Sequence, residues 1–295
     1  MQVVILERNK LVGRKVARVF ASVGALPTVV EDPSALAGVV DGAAVICGDV
    51  FDADTIAEQV RARPNLRGVL WTAEPLKRSL KYLAEATRID HVLARRDFES
   101  APRAWELLLV AHSMILPGTV PIQAFLDWGH SLATFQIATS AHRDAMVAQL
   151  GAFIEPLAVP HRVIDMFGEL AHELMMNALY DAPVDPSGRA KYAHDRKAAV
   201  QLLEHERPNV TIGTDGSRLV LQVDDPFGRL ERKHVVDGLA RGLAGGEQDR
   251  SHGGAGLGFL VCHNATSALF FDVVRGRSTT VTAVFELDTN LRELR

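Results

Sequence analysis

The chain has 295 residues, room for about two domains at roughly 100–200 residues each. Apolar residues make up 47% and charged residues 23%, the ordinary balance of a soluble globular protein with a core in each half. A net charge of -4 and a pI near 6.3 argue against a nucleic-acid binder, which carries a basic excess or stripe.

Taken in chain order, residues 3–6 form a compact apolar run that reads as a buried strand. Residues 11–23 carry Leu11, Val12, Val16, Val19, Phe20 and Val23 at helical spacing. Further strands fall at 27–30, 43–47, 68–71 and 91–94, with helical segments near 33–40, 52–62 and 75–88 between them. Five strands alternating with helices indicate an α/β unit, a doubly wound parallel five-stranded sheet covered on both faces. Residues 101–115 form an apolar helix that stops at Pro117-Gly118. This places a first domain at 1–102, a helical connector at 103–130 and a second domain at 131–290. In the second domain, 132–137 reads as a strand. Residues 141–154 and 163–179 read as helices, separated by Pro156 and Pro160. A polar stretch, 181–196, contains Asp185, Arg189, Lys191 and Arg196. Residues 210–212 and 218–223 make a hairpin turned at Asp215-Gly216. A charged, Gly-rich region runs to 256. A helix at 257–266 and strands at 269–274 and 279–285 follow.

Cys47 and Cys262 each sit in an apolar run, far apart, and read as buried reduced thiols. The first residues, MQVVILERNK, lack the basic start and apolar stretch of a signal peptide. No apolar run approaches the ~18 residues of a membrane span. The expectation is a cytoplasmic protein with no membrane and no nucleic-acid partner.

Three segments of the second half carry chemistry together. The first is HELMMNALYDA, residues 172–182, late in a helix. Glu173 and Asn177 are four apart and share one helical face. A carboxylate there can polarise a water or hydroxyl, and an amide oxygen can ligate Mg²⁺, a hard cation. The bland alternative is a solvated pair, but Leu170, Leu174, Met175, Ala178 and Leu179 make this helix largely apolar, and polar groups set in it need partners. The second is RLVLQVDDPFGRL, residues 218–230. Asp225 shares the strand parity of Leu219, Leu221 and Val223, so its carboxylate points to the same interior side. There it could accept a hydrogen bond from an adenine amino group. The sequence is equally good turn chemistry, and Asp224 is the rival candidate. The third is SHGGAGLGFLVCH, residues 251–263. Its glycines lead into an apolar helix, where backbone N–H groups and the helix N-terminus favour phosphate.

A Glu-x-x-x-Asn helix, a strand ending in Asp, and Gly254-x-Gly256-Leu257-Gly258, in that order, resemble the N, G1 and G2 boxes of the GHKL (histidine-kinase-like) ATPases. Thr279-Thr280-Val281 resembles the late Thr-containing box of that family. The resemblance implies a C-terminal α/β sandwich of the histidine-kinase-like ATPase type, with helices on one face of a mixed sheet. The implied ligands are ATP and Mg²⁺. Asn177 would hold the metal and Glu173 would be the catalytic base. Asp181, Asp225, Gly228, Gly254, Gly256, Leu257, Gly258 and Thr280 would join Asn177 in binding nucleotide, with 229–252 as the ATP lid. The G1 box departs from Asp-x-Gly-x-Gly, because Phe227 and Arg229 stand where glycines are expected and Gly228 lies between them.

The first half resembles a receiver domain in strand–helix order and length. At the chemical positions it has Glu7-Arg8 for the acidic pair, Asp49 near the end of the third strand, Thr72 after the fourth, and Arg95 or Arg96 where a lysine is expected. With so few carboxylates to hold a metal for phosphoryl transfer, the expectation is a pseudo-receiver that docks or dimerises. His112, His130 and His142 are the available phosphoacceptor histidines, and structural roles are favoured for each. The layout is closest to the anti-sigma-factor serine kinases. It implies an ATP-binding signalling regulator that acts on a protein partner as an anti-sigma-like switch or serine/threonine kinase. The alternatives are a non-catalytic scaffold with a degenerate nucleotide site and an orphan histidine kinase. A homodimer is left open.

Overall fold

The computed structural model describes residues 1–39, 43–63, 65–85, 88–97, 99–116, 118–244 and 257–287. The chain divides into two compact units, Met1–Val120 and Pro121–Arg295.

In the first unit, short apolar runs become buried strands and the amphipathic segments between them become helices. Its elements are β1 (Gln2–Leu6), α1 (Lys10–Ser22), β2 (Leu26–Val30), β3 (Ala43–Asp49), α2 (Ala53–Ala62), β4 (Arg67–Thr72), α3 (Leu76–Glu85), β5 (Ile89–Ala94) and α4 (Ala104–Ile115). The sheet order is β2-β1-β3-β4-β5, every pairing parallel. This is the flavodoxin-like order, which places functional groups outside the carboxyl ends of the strands where the order reverses, between β1 and β3. Asn9 starts α1 by accepting the Leu11 and Val12 N–H groups. The helix expected near 33–40 is a single 3₁₀ stretch, Pro33–Gly38, begun by Pro33 behind the capping Asp32. The segment read as a connector contains α4, which packs on α1 and β5 within this unit.

The second unit contains β6 (Ser131–Gln136), α5 (His142–Ile154), α6 (His161–Met176), β7 (Asn209–Thr214), β8 (Arg218–Asp225), α7 (Arg232–Leu243), α8 (Leu257–Ala265), β9 (Ala268–Val274) and β10 (Ser278–Glu286). The sheet order is β6-β7-β8-β10-β9. The mixed sheet implied by resemblance is corrected: all four pairings are antiparallel. One face of the sheet carries the core. Leu219, Leu221 and Val223 of β8 and Val281, Ala283 and Phe285 of β10 alternate inward. They pack against Leu150 of α5, Phe167, Leu170 and Leu174 of α6, and Cys262 of α8. The rings of Phe167 and Phe285 meet with centroids 5.4 Å apart. The result is a two-layer α/β sandwich. The charged stretch expected to be a lid contains α7, started by Glu231 and His234. Residues 245–256 of that stretch lie outside the described residues.

Among the described residues no helix is long and apolar enough to cross a membrane.

Candidate functional site

The site builds up from the end of α6. After Met176 the helix widens into a π segment, Asn177–Asp181, a distortion found often at functional positions. The segment packs against β8, whose last residue is Asp225. The polar stretch that follows α6 returns over this end. Tyr180 Oη donates to Ala198 O at 3.0 Å, and Val200 N donates to Ser140 Oγ at 3.1 Å. These anchors fix Arg196, whose Nη2 donates to Asn177 Oδ1 at 3.5 Å and to the Asp181 carboxylate. Partial burial lifts the Asp181 carboxyl above the ordinary range, while Arg196 and His234 of α7 draw it down.

A divalent ion fits poorly here: ligated to Asn177, it would have the Arg196 guanidinium, a like charge, beside it. Arg196 Nη2 reaches Asn177 Oδ1 and one of the two Asp181 carboxylate oxygens. Among the described residues no group of three or more His, Cys, Asp or Glu could hold a metal. The neighbour of Asn177, where Mg²⁺ is expected, is a cation of the chain.

At the end of β8, strand parity holds to the last residue. Asp225 is 7% exposed and continues the inward side of Leu219, Leu221 and Val223. The turn reading holds as well, since Asp225 Oδ1 accepts the Phe227 N–H at 2.9 Å. Burial is the largest influence on this carboxyl and pushes it up to about 6. Directly across the ladder stands Thr279. It lies close enough to hold the proton affinity of Asp225 somewhat down. Yet its Oγ1 is buried and makes no hydrogen bond of good geometry among the described residues. With Asp225 it sets a donor–acceptor beside an acceptor at the end of the β8–β10 ladder. Thr280 lies on the other face, where its Oγ1 donates to Asp224 Oδ1 at 2.6 Å. The threonine beside Asp225 is therefore Thr279, not Thr280. Gly228 turns to the β9–β10 connection. It holds φ +62°, and a Cβ there would come within 2.2 Å of Val274 O.

Glu173 meets Gly258, the second residue of α8. A Cβ at Gly258 would stand 2.3 Å from Glu173 Oε2, so a larger residue there would have to turn this carboxylate aside. Glu173 also lines an open cleft of about 570 Å³ with Val147, Gly168, Glu169, His172 and Val261. Gly254 and Gly256 lie outside the described residues. Of Leu257 the backbone begins α8. The structure thus joins Asn177, Asp181 and Arg196, and separately Asp225 and Thr279, on elements in contact. Arg196 and Thr279 are the members that sequence reasoning missed. Strand pairing would have singled out Thr279; the place of Arg196 follows only from the path of the chain.

In the first unit Glu7 follows β1, Asp49 ends β3, Thr72 ends β4 and Arg95 follows β5, all buried. The Arg95 guanidinium pairs with Asp49 and lies 3.8 Å from Glu7 Oε2. Trp71 Nε1 donates to that same Glu7 oxygen at 3.1 Å. Arg8 turns to Asp52 through two 2.7 Å hydrogen bonds. Burial raises the Asp49 carboxyl, against the pull of the Phe51 N–H and Arg95. Thr72 Oγ1 accepts the Glu74 N–H at 2.9 Å. Of the two arginines, Arg95 is the buried member and Arg96 is exposed. Here too a guanidinium of the chain neutralises the carboxylates.

No family model matches the chain, and no curated protein matches it. Among solved structures it is similar to a response regulator from Thermotoga maritima, 13% identical at TM-score 0.34, over 39% of this chain and 96% of that one. It is similar to HP1043, an orphan response regulator of H. pylori, 12% identical at TM-score 0.32, over 39% and 96%. A third likeness is to a chain of the SiaB–SiaC complex from Pseudomonas aeruginosa, 14% identical at TM-score 0.36, over 52% and 88%. At such TM-scores these likenesses do not decide the fold. The parallel 2-1-3-4-5 order makes the first unit receiver-like, and an antiparallel sheet under helices defines the second.

Proposed function

We propose that the chain is a signalling regulator whose second unit takes up an adenine nucleotide and passes its state to a protein partner. The observation that carries this reading is the buried pair at the ends of β8 and β10. Asp225 accepts the Phe227 N–H, and the buried Thr279 hydroxyl stands beside it across the ladder. A carboxylate and a hydroxyl buried side by side keep hydrogen-bonding capacity beyond their protein contacts, and the edge of adenine offers an amino donor and ring-nitrogen acceptors side by side. The N, G1 and G2 resemblance points to the same ligand. The output is an anti-sigma-like switch rather than phosphoryl transfer, because the residues at Asn177 do not leave room for Mg²⁺ and Glu173 is packed against Gly258. The first unit acts as a receiver-like docking or input module that takes no phosphoryl group. Its Asp49 is buried and paired with Arg95.

The test is calorimetric titration with ATP, ADP and GTP on the full chain and on Thr279→Val. Adenine nucleotides are expected to bind, GTP to bind weakly, and Thr279→Val to lose about tenfold or more in affinity, as removal of one buried hydrogen bond does. Absence of ATP binding at millimolar concentration would favour the second reading, a non-catalytic scaffold. The observation that favours that reading is the filling of both cation positions by Arg95 and Arg196.

A further inference from the structure

The polar stretch between α6 and β7 is longer than a connection needs to be, and it delivers one side chain with care. Arg196 is 13% exposed at its side chain. Two anchors follow it within four residues, the Tyr180 bond to Ala198 and the paired Ser140–Val200 contacts, in which Ser140 N also donates to Val200 O at 3.1 Å. Its Nη2 alone contacts both Asn177 and Asp181. Among the described residues Nη1 and Nε have no hydrogen-bond partner. A guanidinium carries five N–H donors in a planar fork suited to phosphate oxygens. Held by one corner, this fork keeps a free edge.

We infer that Arg196 is the resident cation of this site. It fills the place beside Asn177 and Asp181 that a divalent ion would otherwise take. Its free edge meets the phosphates of the bound nucleotide, a step that rests on the nucleotide reading above. Binding is then independent of Mg²⁺, and the charge that the phosphates need is supplied by the protein. A metal bridging to the phosphates would also be the means of polarising them for transfer. A fixed guanidinium that already holds Asp181 suits retention of the ligand instead.

The experiment uses the full chain and the variants Arg196→Gln and Arg196→Lys, with Mn²⁺ alone as the first probe. Paramagnetic broadening of the Asn177 side-chain amide is followed by ¹⁵N NMR. Millimolar Mn²⁺ is expected to leave this signal unchanged in the wild type and in Arg196→Lys, and to broaden it in Arg196→Gln. Broadening in the wild type would show that the place is open and overturn the inference. No broadening in Arg196→Gln would show that Arg196 is not what excludes the ion, and would also overturn it. The second probe is ATP, titrated in excess EDTA. Wild type and Arg196→Lys are expected to bind, and Arg196→Gln to bind about tenfold or more weakly, the loss expected for a charge-assisted hydrogen bond. Equal affinities would overturn the phosphate role. A wild type that binds no ATP, with or without Mg²⁺, would sink the nucleotide reading and the phosphate role with it. The Mn²⁺ result would then still decide whether Arg196 is the cation of the site.

Discussion

Replacing Asp225 by Asn separates the two consequences of burying a carboxylate. Burial raises the Asp225 carboxyl from 3.8 to about 6. The sign follows from proton linkage. Between these values the folded protein holds a proton that the unfolded chain has released, so stability falls as pH rises through this window. Each pKa unit is worth about 1.36 kcal/mol, so ionised Asp225 costs the fold about 3 kcal/mol above pH 7. An Asn side chain keeps an oxygen for the Phe227 N–H, turns an amide toward Thr279, and carries no charge. Asp225→Asn should therefore be more stable than wild type by about 3 kcal/mol above pH 7, a gain that shrinks as pH falls through 6 and is nearly gone by pH 4. The assay is native-state hydrogen exchange of the β8 and β10 amides, which reports the second unit alone. A gain that does not vary with pH, or a loss of stability at pH 7.5, would refute the argument. The same variant should bind adenine nucleotide more weakly, because a carboxylate retained at such a cost is retained for a ligand.

Other substitutions probe the frame of the site and the first unit. Gly258→Ala should turn the Glu173 carboxylate away from α8 at a cost of about 1 kcal/mol or less, and Glu173→Ala in the same chain should remove that cost in thermal unfolding. Gly228→Ala should cost about 2 kcal/mol or more, since it combines positive φ with backbone in the way. Gly216→Ala has positive φ and open space, and should cost about 1 kcal/mol by urea unfolding. Arg95→Ala leaves Asp49 and Glu7 buried without their guanidinium and should destabilise the first unit by about 3–5 kcal/mol. Acetyl phosphate should label no residue of that unit in intact-mass measurements, whereas labelling at Asp49 would show a working receiver.

The first unit was legible because its strands are continuous apolar runs and its helices keep their period. Val3 to Leu6 and Val45 to Cys47 are fully or nearly fully buried, and such runs identify the strands of a parallel sheet. Period two also placed Asp225 on the inner face, because it shares the parity of Leu219, Leu221 and Val223, although Val220 on the opposite parity is buried too. It could not choose between Thr279 and Thr280. Adjacent strand residues face opposite ways, and only the pairing of β10 with β8 sets which one meets Asp225. Helix α7 escaped notice because Gly238 and Gly242 and a run of charges obscure its period. The periodicity of α4 was clear, but which unit it packs on is a tertiary fact. Arg196 was visible only as one charge in a polar stretch. Its partners lie 15 and 19 positions away, reached by a path that no local pattern encodes.

The account stands most directly on one contact, between the edge of adenine and the pair Asp225–Thr279. With threonine methyl groups isotopically labelled and excess ATP added in EDTA, an intermolecular nuclear Overhauser effect should join adenine H2 to the Thr279 methyl and be lost in Asp225→Asn. A saturated complex showing no such effect, or one unaffected by that substitution, would place the nucleotide elsewhere and contradict the proposed site.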